Sequence, residues 1–254
     1  MRGLVVVIAC VGCRFEHGVV GAIESDAAAD ALESPPGAIA RWDMDETSGV
    51  TVHDSETPPL DLSIEDASRI RWSGGALHVE QPVRIWATAS ATKLVTAGQA
   101  TRAFTIEAWL KPASPTQSGP ARIVTVSMDG LSSSFTLGQE SLTWIFRVRM
   151  SSSDAVGRPE LVTPNVIAST PMLTHVVATY DRGTRVFYVD GVEVARDVRS
   201  GDLQWTSNHQ PAIASEPNAD SFGIRPWLGE IHRVVFYQRA LSLAEVQSLR
   251  TAGV

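Results

Sequence analysis

HVVATYDRGTRVFYVDGVEVARD, residues 175–197, is the stretch whose reading decides the fold. Asp190-Gly191 stands between two alternating runs rich in β-branched and aromatic residues. A two-residue type I′ turn needs positive φ at both central positions, and its twist matches that of the flanking strands. Asp and Gly supply it, so residues 185–197 read as a β-hairpin, with HVVATYD as the strand before it. The same period of two continues upstream. AFTIEAWLKP (103–112) sets Phe104, Ile106, Ala108 and Leu110 against Thr105, Glu107, Trp109 and Lys111. Pro112, with no N–H for a further rung, stops it. AIARWDM (38–44), GALHVE (75–80), VRIWAT (83–88), RIVTVSMD (122–129), SFTLGQ (134–139) and TWIFRVRM (143–150) are further strands, and GEIHRVVFYQRAL (229–241) is the last. LSLAEVQSLRTAG (241–253) is a helix, with Ser242 as N-cap, Glu245 completing the capping box and Gly253 at its end. About a dozen strands, one short terminal helix and no βαβ alternation predict an all-β, antiparallel two-sheet jelly-roll sandwich.

The bulk numbers agree. At 254 residues the chain is within the range of one large sandwich, and 44% apolar residues are enough for a sizeable core. A net charge of −7, with no basic run, excludes a nucleic-acid binder. The chain opens MRGLVVVIACVGCRF, in which Arg2 precedes an apolar run too short to span a bilayer. The small residues before Cys10 and Cys13 resemble a bacterial lipoprotein leader. Cys13 gives the longer leader and is taken as the acylated residue. Cys10, with an aliphatic residue three positions before it, is the alternative. Residues 1–13 are then the signal segment, 14–37 a flexible acidic linker ending in Pro-Pro-Gly, and 38–254 the folded domain. The expected location is extracytoplasmic, anchored by lipid in the periplasm or at the cell surface. These are the only two cysteines, so the domain has no disulfide, thiolate metal site or cysteine nucleophile.

In order, ARWDMDETSGVTVHDS, FTIEAWLKP, HVVATYDRGTRVFYVDGVEVA and LGEIHRVVFYQRALSLAEVQSL resemble the laminin-G-like, concanavalin A-like jelly-roll domains of bacterial secreted proteins. The resemblance covers roughly Ala38 to Leu249. It implies a non-catalytic binding or adhesion module for carbohydrate or protein, in some members with one Ca²⁺. The family usually carries Asp on the closing strand where this chain has His232 or Arg233, which removes an oxygen from a calcium shell that needs six to eight.

Four chemistries follow from the residues. Asp43 and Asp45 have the i, i+2 spacing of a glycosidase carboxylate pair, but face outward if Trp42 and Met44 point into the core. The Glu-x-Asp-x-(x)-Glu signature of glucanase relatives is absent, so a glycoside hydrolase is the rival reading and not the first. No Gly-x-Ser-x-Gly elbow supports a hydrolase triad, and His175 and His232 read as strand histidines. Asp45, Glu46 and Asp54 flank the first turn and are the candidate Ca²⁺ ligands; a plain polar turn closed by Gly49 is the alternative. For glycan or peptide recognition the candidates lie in the loop-rich stretch 201–229: Trp205 and Trp227 as stacking platforms, with Asn208, His209, Asn218 and Asp220 as hydrogen-bonding groups. Against that stands the reading of Trp227 as a core cap. The function expected is recognition of a glycan or an extracellular protein.

Overall fold

The computed structural model describes residues 35–221 and 223–254. Cys10, Cys13 and most of the 14–37 segment lie outside the described residues. In chain order the first strands are β1 (Ala38–Trp42), β2 (Thr51–Val52), β3 (Leu62–Ile64), β4 (Ile70–Trp72), β5 (Leu77–Val79) and β6 (Ile85–Trp86). Helix α1 (Thr92–Thr101) leads into β7 (Ala103–Pro112), β8 (Gln117–Asp129), β9 (Ser132–Ser141), β10 (Thr143–Val148) and β11 (Leu161–Val162). Then come β12 (Thr174–Asp181), β13 (Thr184–Val189), β14 (Val192–Val198), β15 (Gln210–Ile213), β16 (Gly229–Tyr237) and helix α2 (Leu243–Ala252).

They form two eight-stranded antiparallel sheets. The first runs β14-β13-β12-β7-β16-β5-β4, with β1 also pairing with β16; the second runs β11-β10-β9-β8-β15-β6-β3-β2. The decisive hairpin is β13–β14, and its turn residues Asp190 and Gly191 have φ of 49° and 80°. Between the sheets, Phe104, Ile106, Ala108 and Leu110 of β7 meet Ile123, Val124, Phe135, Leu137, Trp144 and Phe146 of the second sheet. Trp42 and Met44 are buried as expected.

The other face of β7 is not open to water. Thr105, Glu107 and Trp109 are buried as well, because α2 lies over this side of the sheet. Val246 and Leu249 of the helix pack with Val177, Tyr188, Val235 and Tyr237. The helix is held at its start by the predicted capping box. Ser242 Oγ accepts from the Glu245 N–H, and the Glu245 carboxylate accepts from the Ser242 N–H at 2.8 Å and from Arg239 at 2.7 Å. The Arg239 hydrogen bond, against an opposing burial effect and helped by Ser242, draws the Glu245 carboxyl down from 4.5 to about 2. A lowered folded-state pKa contributes stability that is complete above the unfolded value and disappears as pH falls through the folded value. The melting-temperature gap between wild type and Glu245→Gln should therefore be constant above about pH 5 and close towards pH 2; a gap that is flat across that range would remove Glu245 as the acid-sensitive group.

Helix α1 is not marked by a side-chain cap. Leu94, Val95 and Gly98 face inward, and Gly98 is there because a Cβ would come 2.4 Å from the Trp205 ring. The outer face of the second sheet differs from that of the first. Among the described residues it carries no apolar helix, and polar side chains such as Arg122, Thr125, Thr136 and Arg147 stand on it.

Candidate functional site

That polar face follows from register. Arg122 of β8 lies opposite Gly138 of β9, and Thr125 opposite Thr136, which is in turn opposite Arg147 of β10. A register shift between Arg122 and Val124 lets Ile123 and Val124 both enter the core while Arg122 and Thr125 stay on the outer face. On the other side Thr125 pairs with Ala212 of β15, and Ala212 with Trp86 of β6. One row across the sheet therefore reads Trp86, Ala212, Thr125, Thr136, Arg147. Trp86 is partly exposed, with the Arg84 guanidinium 4.5 Å from its ring centroid.

Loops 149–160 and, on either side of residue 222, 214–221 and 223–227 border this face. The first is tied down by Ser133 N–H to the Ala155 carbonyl at 3.0 Å, the second by Arg122 N–H to the Arg225 carbonyl at 3.0 Å and Trp227 N–H to the Ala214 carbonyl at 2.9 Å. Between them opens a cleft of about 680 Å³ lined by Pro120, Leu131, Arg147, Asp154, Arg158 and Arg225 among others, a volume ordinary for small-molecule sites.

The charges around it are unevenly satisfied. Arg225 donates to Asp220 at 2.5 Å and to the Gly130 carbonyl at 2.6 Å. Arg122 is fully buried; it donates to Glu216 and to the Pro120 carbonyl, and Glu216 also accepts from Ser127 at 2.5 Å. Burial, partly offset by Glu216 and reinforced by the nearby Arg147 and Arg225, lowers the Arg122 pKa. Arg147 is 1% exposed and has one partner, Glu160 at 3.2 Å. Its Nε and Nη1, with Arg122 Nη2, have no hydrogen-bond partner among the described residues. Arg158 is exposed at the mouth. Burial works against ionisation of Glu160, yet its own backbone N–H, Arg147 and Arg158 hold the carboxyl below its usual range.

The tryptophans expected to stack on a ligand do not reach this surface. Trp205 is 4% exposed and wedged edge-on against Phe104 at 4.8 Å. Trp227 is fully buried, its Nε1 donating to Gln139 at 2.8 Å. Neither ring has a face free for a sugar, so both are corrected to core residues. Their loop-like sequence surroundings hid this: the backbone is irregular, but the rings turn inward to close the open ends of the sandwich. His209 is buried and hydrogen-bonded to Ser134 at 2.9 Å, and burial lowers its pKa. Asn208 accepts from Thr206 in an exposed turn. Asn218 donates to the Met128 carbonyl at 2.8 Å, and Asp220 holds Arg225. Of the six candidates, Asp220 holds a lining residue, Arg225, through its side chain.

The candidate calcium residues do not fit the ion. Asp54, with a fully buried side chain, accepts from the Arg41 N–H and Glu56 N–H on one oxygen, and from the Leu60 N–H and Lys93 Nζ on the other, the last at 2.5 Å. Its lone pairs are taken, and a lysine ammonium stands where a cation would sit. Asp45 is exposed, and Glu46 accepts the His53 N–H at 2.6 Å. Among the described residues no metal-holding group of three or more His, Cys, Asp or Glu occurs. On the closing strand Arg233 donates to Asp43 at 2.8 Å, and Arg41 donates to the same carboxylate at 2.7 Å. Burial opposes it, but these two arginines keep the Asp43 carboxyl below its usual range, so the Asp43–Asp45 pair is not arranged as an acid and a base.

The profile of the concanavalin A-like lectin/glucanases superfamily matches residues 86–247, more than half of the chain. The chain belongs to this superfamily. No curated protein matches it. Among solved structures, a Trypanosoma rangeli sialidase in complex with sialic acid is similar with a TM-score of 0.60 at 16% identity, over 85% of this chain and 33% of the sialidase chain. The binding domain of botulinum neurotoxin DC in complex with SialylT gives 0.60 at 11% identity, over 87% and 52%. The same domain in complex with rat synaptotagmin II gives 0.58 at 10%, over 85% and 51%. The chain spans about a third of the sialidase and about half of the toxin chains, and at these identities the likeness is one of fold. A superfamily that holds both lectins and glucanases leaves the choice between binding and hydrolysis to this chain's own residues.

Proposed function

We propose that the domain is a non-catalytic carbohydrate-recognition module working outside the cytoplasm, held at a membrane by lipid on Cys13 or Cys10. The observation that carries the reading is the cleft on the outer face of the second sheet, lined by donors and, among the described residues, by no pair of free carboxylates. A glycosidase needs one carboxyl raised enough to act as acid and a second placed to act as base or nucleophile. Here Glu160, Glu216 and Asp220 are each bound to an arginine. Asp154 lines the cleft alone, its Oδ1 engaged by the Val156 and Arg158 N–H groups. The superfamily match and the neurotoxin domain solved with SialylT are consistent with a sugar partner.

A second reading has one observation behind it. Strand β14 is an open sheet edge with Val192 and Val198 61% and 72% exposed, a surface suited to a protein partner. A glycan array probed with the full chain in detergent separates the two. Retention on one glycan class, without release of reducing sugar from it on long incubation, is the expected result. Silence across the array, together with a protein partner blocked by Val192→Lys and Val198→Lys, would overturn it, and sugar release would turn the reading to hydrolysis.

A further inference from the structure

We infer that the ligand of the cleft is acidic: a sugar bearing a carboxylate or sulfate group, drawn in by Arg158 at the mouth, by Arg147 in the wall and by Arg122 behind it. The inference rests on the carbohydrate reading above and adds the charge of the ligand to it.

Side chains lining the cleft include three arginines and one aspartate. Arg147 and Arg225 are ion-paired, to Glu160 and Asp220, while Arg158, exposed at the mouth, makes no ion pair among the described residues. Two cationic groups are set deep. Arg122 and Arg147 are 0% and 1% exposed and lie diagonally across β9, opposite Gly138 and Thr136. A buried guanidinium is normally surrounded by acceptors, since every unmade hydrogen bond in low dielectric is costly. Arg185 of β13, in the first sheet and fully buried, shows the usual arrangement: two bonds to Asp197 at 2.9 and 2.6 Å and one to the Phe146 carbonyl of the second sheet at 3.2 Å. Arg147 by contrast has a single acceptor, and three guanidinium nitrogens of the Arg122–Arg147 pair have none among the described residues. Arg147 lines a cleft large enough for a sugar, and Arg122 stands behind the lining, donating to the carbonyl of the lining residue Pro120.

An oxyanion supplies the missing acceptors. A neutral sugar hydroxyl offers lone pairs but no charge, and gains little from two cations at the wall. A carboxylate or sulfate gains from both, because clefts with low-dielectric walls concentrate the field of the charges that line them. Arg158 is exposed at the rim, so it is the group a ligand meets on entry. Glu160, kept ionised beside Arg147 and Arg158, orients them and does not close the mouth.

The test uses the full chain in detergent and isothermal titration with three probes: oligogalacturonate, the same oligomer after carboxyl reduction, and a sulfated galactan oligosaccharide without carboxylates. Binding of at least one acidic probe, at least tenfold tighter than the neutral one, is expected. The gap should shrink as ionic strength rises, and which acidic probe binds tells carboxylate from sulfate. Arg158→Ala, at an exposed position, should weaken acidic binding by about tenfold with the melting temperature unchanged. Arg147→Met should remove the preference for acid; if that variant fails to fold, Arg158→Ala and the salt series carry the test. Equal affinity for the neutral and acidic probes, or acidic binding indifferent to both arginines, overturns the inference and leaves the carbohydrate reading standing. No binding to any of the three probes while the array shows a neutral glycan ligand overturns it as well.

Discussion

Phe104→Ala should cost about 3–5 kcal/mol of stability, the usual loss for a buried aromatic cut back to a methyl, and lower the melting temperature by roughly 10 °C for a domain of this size. The reason is position. Phe104 lies at the start of β7, and its ring is 4.8–5.8 Å from those of Phe135, Phe146, Tyr180, Trp205 and Phe236. Tyr180 and Phe236 flank it within the first sheet, Phe135 and Phe146 come from the second, and Trp205 closes the end from a loop. Five aromatic neighbours are stiff, and rings fixed on two different sheets cannot all collapse into one hole, so the cavity stays. Chemical denaturation gives the free energy directly. Val198→Ala, at an exposed edge position, is the control and should change stability by no more than about 0.5 kcal/mol. A loss below about 1 kcal/mol for Phe104→Ala would show that the rings close over the gap and that the two sheets are not joined at this cluster.

The ease of reading Phe104 from sequence and the difficulty of reading the cleft have the same origin. A strand announces itself by alternation, and a turn by residues that accept positive φ; both signals are local. That is why Asp190-Gly191, the stop at Pro112 and the box between Ser242 and Glu245 are all legible. Helix α1 is not, because its N-terminus has no capping side chain and its inward residues Leu94, Val95 and Gly98 are too few to stand out. Trp205 and Trp227 mislead for a related reason: sequence shows a loop but not which way a ring turns. The cleft arginines come from positions 122, 147, 158 and 225, joined only by sheet pairing and loop return. A trace is present. RIVTVSM holds Arg122 and TWIFRV holds Arg147 in an otherwise apolar or hydroxyl-bearing run, and a guanidinium at such a place needs either a partner or a ligand. Asp54 shows the converse. Its acidic neighbours suggest a metal, while the lysine that satisfies it, Lys93, is 39 positions away on a helix that sequence does not reveal.

Glu107→Leu should be comparably severe, at about 3–5 kcal/mol, because it removes one side of a buried charged network and strands the rest. Glu107 is fully buried beneath α2. One carboxylate oxygen accepts from Trp109 Nε1 at 3.2 Å and lies 3.1 Å from His175 Nε2; the other accepts from the Tyr237 hydroxyl at 2.8 Å. Burial above all, and then the carboxylate beside it, push the Tyr237 phenol far above its ordinary range, so it remains a donor at any accessible pH. Leucine fills most of the volume but leaves three donors facing carbon, each orphan costing about 1–3 kcal/mol. A glutamine side chain would keep one carbonyl for Trp109 and His175 and turn its amide towards the Tyr237 oxygen, so Glu107→Gln should lose only about 1–2 kcal/mol. Replacing the whole network, with Glu107→Leu, His175→Leu and Tyr237→Phe together, should recover most of the loss, since an apolar cluster needs no partners. If Glu107→Leu alone were as stable as wild type, the cost of burying the carboxylate would equal everything its hydrogen bonds return. The folded fraction of each variant should bind the proposed ligand of the cleft as wild type does, because the network lies on the outer face of the first sheet and the cleft on the outer face of the second. Glu107 is the acid in TIEAW that sequence could have offered as a catalyst; under a helix, with both oxygens taken, it fixes three strands, β7, β12 and β16, in one register.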